Sequence, residues 1–443
     1  MNKITRFLSV LLAAVMLFSV TACKKNVGTD GSSNEAKDYA ALLKLDMSSD
    51  TLKEVVTVKT FIDGDTTHFY VPESVMEGGV LKARYLAINT PESTGKIEEY
   101  GKAAAAFTKE KLSSAVSIIV ESDDGKWNAD STGDRFLAWV WYQPEVGADY
   151  RNLNIEILQN GLAIASNAAG NRYGETAVAA INQAREQSLG VHSGQKDPDF
   201  YYGEAIELTL KELRCNIADY NNMKVAFSGV ITMNDNNSVY IEDYDPETDM
   251  YYGISIYYGF ALSGEGLNVL SVGNESRIVG TVQYYEAGGT YQVSGLTYRL
   301  MKPDDPGNIQ KISDGHSPAF VLTDADTFVN GKVEIAGEEE TVTHDYAALA
   351  MNTSVEMKNL TVVDIYTTIS ADSSSKGAMT LTCKAEDGNT VTVRTEVLRN
   401  EAGEIITEDN YSGKTIDVRG IIDYFDGDYQ IKVFTENDIT IIK

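Results

Sequence analysis

The sequence predicts a multidomain, mainly β protein: one five-stranded barrel carrying helices, then two further β-barrel modules. Three observations carry that prediction. The chain has 443 residues, too many for a single core. Tyrosine is abundant at 25, and Val, Ile and Thr recur, the side chains that fit a pleated, half-buried surface. A strand–glycine turn–strand pattern also occurs twice, at residues 278–293 and 417–431, each reading as a hairpin.

The elements follow in order. Residues 55–58 and 66–70 read as strands around Asp63-Gly64-Asp65, and 81–88 as another strand. Residues 100–114 are rich in Ala and Lys and read as a helix, 116–120 and 136–142 as apolar strands, and 153–162 and 175–189 as helices. After Tyr201 short strands and turns dominate. Asp38-Tyr39-Ala40-Ala41-Leu42 recurs as Asp345-Tyr346-Ala347-Ala348-Leu349, a short helical lead-in before the first and the last barrel. The expected organisation is 1–23 signal segment, 24–53 tether and lead-in, 54–195 first domain, 201–302 second barrel, 303–340 linker or extension, and 341–443 third barrel.

Charge limits the functions open to each part. Residues 54–194 hold 12 Lys and Arg against 19 Asp and Glu, and residues 201–443 hold 17 against 39. A surface that grips a polyanion without sequence preference needs clustered positive charge. The C-terminal half is therefore a poor nucleic-acid clamp, and its paired tyrosines, Tyr284 with Tyr291 and Tyr424 with Tyr429, read as cross-strand packing.

Lys3 and Arg6 precede an apolar run at 7–20, too short to span a bilayer comfortably, so the segment reads as a signal peptide. Val20-Thr21-Ala22-Cys23 resembles a lipobox, which implies lipidation of Cys23 and a location on the extracellular side of the cell membrane. The other cysteines, Cys215 and Cys383, fall in separate modules and read as free thiols. The four histidines, His68, His192, His316 and His344, form no zinc spacing.

Asp63-Gly64-Asp65-Thr66, then Arg84 to Glu92 (through Asn89-Thr90-Pro91), then Tyr100-Gly101-Lys102, then Asp134-Arg135-Phe136 stand in an order and spacing that resemble the staphylococcal nuclease family over residues 54–195. The later modules resemble OB-fold domains. The resemblance implies an OB-type barrel and calcium-dependent hydrolysis of phosphodiester bonds in DNA or RNA. It implies that Asp65 and the Thr90 carbonyl ligate Ca2+, with Asp63 as outer support. Arg84 and Arg135 would clamp the phosphate, and Glu92 would position or deprotonate water. Such chemistry needs a hard cation on oxygen ligands and a fork of guanidinium donors for developing charge.

Two departures stand out. Asn89 occupies the position of a second metal-binding aspartate, which keeps an oxygen donor and removes a charge. Residues 164–169 lack the tyrosines that stack on a nucleotide base, leaving Tyr173 as the substitute. Two other functions stay open: an envelope protein of nuclease fold that binds without turnover, and C-terminal modules that serve only as spacers.

Overall fold

A computed structural model of the chain describes residues 36–442 except 260–261, 287, 338–340 and 371–372. The signal segment and Cys23 lie outside the described residues. Among the described residues no helix is long and apolar enough to cross a membrane.

The chain is mainly β and multidomain, and three barrels follow one another. The first comprises α1 (Tyr39–Leu42), β1 (Lys53–Phe61), β2 (Thr66–Tyr70), β3 (Val80–Tyr85), β4 (Ile88–Asn89), α2 (Gly101–Ser114), β5 (Ser117–Glu121), β6 (Phe136–Gln143), β7 (Arg151–Asn152), α3 (Leu153–Gln159), β8 (Ile164–Ala165) and α4 (Gly174–Glu186). The second comprises β9 (Ile206–Glu207), α5 (Leu210–Cys215), β10 (Lys224–Asn234), β11 (Ser238–Asp245), β12 (Met250–Tyr257), α6 (Glu265–Val269), β13 (Glu275–Tyr285), β14 (Thr290–Ser294) and β15 (Gln310–Ser313). The third comprises β16 (Val321–Leu322), α7 (Ala325–Asn330), β17 (Lys332–Ala336), β18 (Thr341–Asp345), α8 (Tyr346–Leu349), β19 (Ser354–Thr367), β20 (Met379–Lys384), β21 (Thr390–Thr395), β22 (Thr415–Phe425), β23 (Asp428–Val433) and β24 (Ile439–Ile441).

One topology recurs. The rings β1-β2-β3-β6-β5, β10-β11-β12-β14-β13 and β19-β20-β21-β23-β22 each close back on their first strand. Each contains one parallel pairing, between its third and fifth strands. The first strand is shared between two neighbours, and it bulges where it changes partner, between Val58 and Thr60, Ile231 and Met233, and Val362 and Asp364. A bulge sharpens the local bend and twist, which lets five short strands curl into a closed wall. The first barrel fills with Phe69, Leu81, Trp139 and Trp141, and helices α3 and α4 cover one side.

One segment differs from expectation. Residues 303–340 are no simple linker: β15 pairs with β13 of the second barrel, β16 pairs with β19 of the third, and Ile335 on the β17–β18 hairpin enters the second barrel's core. Strands of two to four residues show too little alternation to be read from sequence. The short helical lead-in before the first barrel forms α1 and is docked on that barrel. Ala40 is fully buried, and Asp38 accepts both Arg151 Nη atoms at 2.9 and 3.0 Å. The tyrosine pairs face each other across their hairpins as expected, with ring centroids 5.0 and 5.1 Å apart. Cys215 and Cys383 are free.

The second and third barrels are fastened by charges bonded to backbone. Arg214 on α5 donates to the carbonyls of Gly253 and Met351 and to Asn352 Oδ1. Burial pushes its guanidinium down to about 10. Glu242 on β11 accepts from Ala319 N at 2.8 Å, Ser354 N at 2.7 Å and the Ser354 hydroxyl at 2.9 Å.

Arg214→Ala is expected to lower the stability of these barrels by about 3 kcal/mol, because three buried acceptors lose their donor. The protein's 3 tryptophans all lie in the first barrel, so the far-UV CD transition should shift while the tryptophan fluorescence transition stays. Burial raises the Glu242 carboxyl, against its amide and hydroxyl bonds. The folded state therefore holds this proton more tightly than the unfolded state. Its contribution to stability is fully present below the ordinary glutamate pKa of about 4.3 and is lost as pH rises through the raised value. Denaturation midpoints across that range should fall more steeply for the native chain than for Glu242→Gln.

Candidate active site

The site lies at the mouth of the first barrel, where β1 ends. The turn to β2 closes with Ile62 N and Asp63 N both donating to Thr66 O, and Asp63 Oδ1 accepts from Asp65 N at 3.1 Å. Gly64 between them has no room for a side chain: a Cβ would come within 2.8 Å of Ala104 Cβ and 2.9 Å of Thr90. Thr108 on α2 donates its hydroxyl to Gly64 O at 2.7 Å. Helix α2 is thus packed directly under the turn.

Asp65 is the hub. Only 3% of the residue is exposed, yet its carboxylate is fully engaged. Oδ2 accepts from Thr90 N at 2.8 Å and faces Arg84 Nη1 at 2.5 Å, and Oδ1 accepts from the Thr66 hydroxyl at 3.2 Å. Arg84, on β3, also donates Nη2 to Asn89 Oδ1 at 2.7 Å and Nη1 to Ile88 O at 3.4 Å. Three oxygens from Asp65, Ile88 and Asn89 therefore converge on one cationic head group.

The loop that supplies Asn89 and Thr90 is set by a residue whose sequence signal is slight. Asn154 at the start of α3 is fully buried, donates to Leu86 O and Ala138 O at 3.0 and 3.1 Å, and accepts from Val140 N at 2.9 Å. It ties the β3–β4 turn, where Ala87 has φ 65°, to β6. β4 then pairs with β8, Ile88 opposite Ala165 and Asn89 opposite Ile164.

Glu92 is exposed to solvent, though its carboxyl end is partly desolvated. Burial raises its carboxyl, as do the charges of Asp65 and Glu98, while Arg84 and Arg135 act the other way. Asp63 is pushed up to about 7, by burial first and then by Asp65 and Glu92. Arg135 is 32% exposed, and its Nε and Nη2 both lie 2.7 Å from Asp130 Oδ2. Its charge reaches Glu92, but its direct partner is this aspartate in the preceding loop. Tyr173 is no base-stacking surface. Its ring packs edge-on against Trp139 and Trp141, and its hydroxyl donates to buried Glu121 at 3.1 Å. Two tryptophans from neighbouring strand positions claim that ring for the core.

Among the described residues no group of three or more His, Cys, Asp and Glu side chains is arranged to hold a metal. The donors at this mouth are instead one carboxylate, one amide oxygen and backbone carbonyls. They fit a hard cation in kind, since Arg84's guanidinium already rests among them. The Asp63 and Glu92 carboxyls are raised by burial first and by neighbouring carboxylates second, so negative charge gathered there is only part of the cause.

Asp65, Arg84, Asn89, Thr90 and Glu92 are thus gathered at one mouth, with Asp63 beside Asp65 and Arg135 at the rim. Residues 82–193, about a quarter of the chain, match the family model described as Staphylococcal nuclease homologue, a span that takes in Arg84, Asn89, Thr90, Glu92 and Arg135 and leaves out the Asp63–Asp65 turn.

Proposed function

We propose that this protein is a nuclease that hydrolyses phosphodiester bonds of DNA or RNA with calcium. It would work on the outer side of the cell membrane, held there by lipid on Cys23. The observation that carries the catalytic part is the convergence of Asp65, Arg84 and Asn89 at a mouth shared with Glu92, whose carboxyl feels the charges of Asp65 and Arg84.

Asp65, Asn89 Oδ1 and the Thr90 carbonyl are the oxygens that would hold Ca2+, with Asp63 behind them. When bound, the ion neutralises phosphate charge. Glu92, with its affinity for a proton raised, is suited to take one from the attacking water. Water's oxygen bonds to phosphorus, the bond to the leaving oxygen breaks, and a proton returns to that oxygen. Arg84 presents two N–H groups in a planar fork, and phosphate oxygens can replace the carboxylate and amide it now holds. Arg135, anchored by Asp130, keeps a second positive charge at the rim for the transition state.

A second reading has one observation in its favour. Arg84 satisfies two of the three oxygens assigned to the metal, Asp65 Oδ2 and Asn89 Oδ1, and only one of those is a carboxylate. That is the arrangement expected of a nuclease fold that binds at the envelope and turns over weakly or not at all.

Single-stranded DNA incubated with the full chain should be cut with calcium and left intact with chelator. Glu92→Gln should lower kcat at least about a hundredfold, the usual worth of a positioned acid–base group. Binding without product by the folded native chain would favour the second reading. Asn89→Asp should shift the calcium midpoint to lower concentration, since ligand charge tunes affinity; an unchanged midpoint would remove Asn89 from the ligand set.

A further inference from the structure

The loop that follows Glu92 is held from outside its own barrel. Within the loop, Glu98 N donates to Glu92 O at 2.9 Å and Glu92 N donates to Glu98 Oε2 at 3.3 Å, closing residues 92–98 into a ring. Gly101 at the start of α2 lies so close to this ring that a Cβ there would overlap the Glu92 carbonyl. The connector after α4 grips the far end: Asp197 Oδ2 accepts from Tyr100 N at 2.6 Å, and the Tyr202 hydroxyl donates to Glu99 at 2.5 Å.

The second barrel supplies another support. Gln283 on β13 donates Nε2 to Ser93 O at 3.2 Å. Ser294 on β14 donates to Gln283 Oε1, which directs the amide's N–H end at the loop. The next residue, Gly295, has φ +72°, and a Cβ on it would come within 3.0 Å of Gly95 O. Backbone meets backbone here because neither glycine carries a side chain. Lys109 on α2 pairs with Glu286 at the tip of the same hairpin at 2.5 Å, an exposed pair that adds little.

We propose that the second barrel is a positioning part of the active site: Gln283 and Gly295 hold loop 92–100, and through it the Glu92 carboxylate, in working geometry. This inference rests on the nuclease reading above. An exposed loop of this length opens locally at small cost, whereas a catalytic carboxylate displaced by about 1 Å loses much of its effect. The Gln283 bond lands on the carbonyl of Ser93, the residue directly after Glu92, so it restrains the backbone one peptide unit beyond that side chain. Gln283 touches the loop and not the reacting atoms, so it is a positioning residue. The C-terminal modules are then more than spacers.

The test uses the full chain with Gln283→Ala, Gly295→Ala and Gln283→Lys, which keeps a donor. Hydrogen exchange of the peptide covering 92–101 and the steady-state constants for DNA cleavage are measured together. Gln283→Ala should speed loop exchange about fivefold, the loss of one hydrogen bond. It should lower kcat with KM nearly unchanged, and Gln283→Lys should restore both. The tryptophan-reported unfolding of the first barrel should not move. Wild-type loop exchange in both alanine variants, or faster exchange with unchanged kcat, would overturn the inference. A native chain that cuts nothing would instead defeat the nuclease reading, and loop exchange alone would then decide whether the second barrel holds the loop.

Discussion

Closing a barrel from five short strands requires one strand to serve both sides of the wall, and in this protein that duty falls each time on the first strand. In the first barrel β1 pairs with β5 over Lys53–Val56 and with β2 from Thr57 onward. The bulge near Val58 turns the strand between these partners. The start of β1 is thus held by β5 and its end by β2, so the strand is anchored along its length. The turn that follows inherits that rigidity, and Asp63 and Asp65 lie in it. The same device in β10 and β19 gives the later barrels their closure.

Charge at the mouth is arranged around a single buried carboxylate. Asp65 would be expensive to bury alone, and its cost is offset by an amide, a hydroxyl and a guanidinium. Thr90 provides the amide only because Asn154 holds the preceding turn against β6. Gly64 lets α2 come under the turn. The site is thus a product of long-range packing, although Asp65, Arg84 and Glu92 fall within 28 residues of one another in the sequence.

That contrast marks what the sequence reveals. Short motifs with charged residues at set spacing bring Asp65, Arg84, Asn89, Thr90 and Glu92 together as expected, because each sits in or beside a strand whose neighbours are close in sequence. Tyr173 was misread because its fate depends on Trp139 and Trp141, which face it only after β6 and α4 pack. Arg135 was read as a phosphate clamp, and the aspartate it holds, Asp130, lies in a loop with no periodic signal. The docking of the second barrel on the third hangs on Arg214 and Glu242, two charged residues that a pattern reading assigns to the surface. Their burial follows from contacts more than 100 residues away.

The arginine at the centre links the two departures of this site, low ligand charge and a self-satisfied cation. Arg84 bonds to one carboxylate and one neutral amide. An aspartate at position 89 would strengthen any metal bound there, and it would also strengthen the hold on Arg84 by turning a charge-assisted bond to a neutral amide into an ion pair. On the nuclease reading, that arginine must be free to turn toward phosphate. Asn89 then acts in two opposed directions, weakening the grip on the ion and easing the release of the guanidinium. On that reading, metal affinity and arginine availability at this mouth are set by the same side chain.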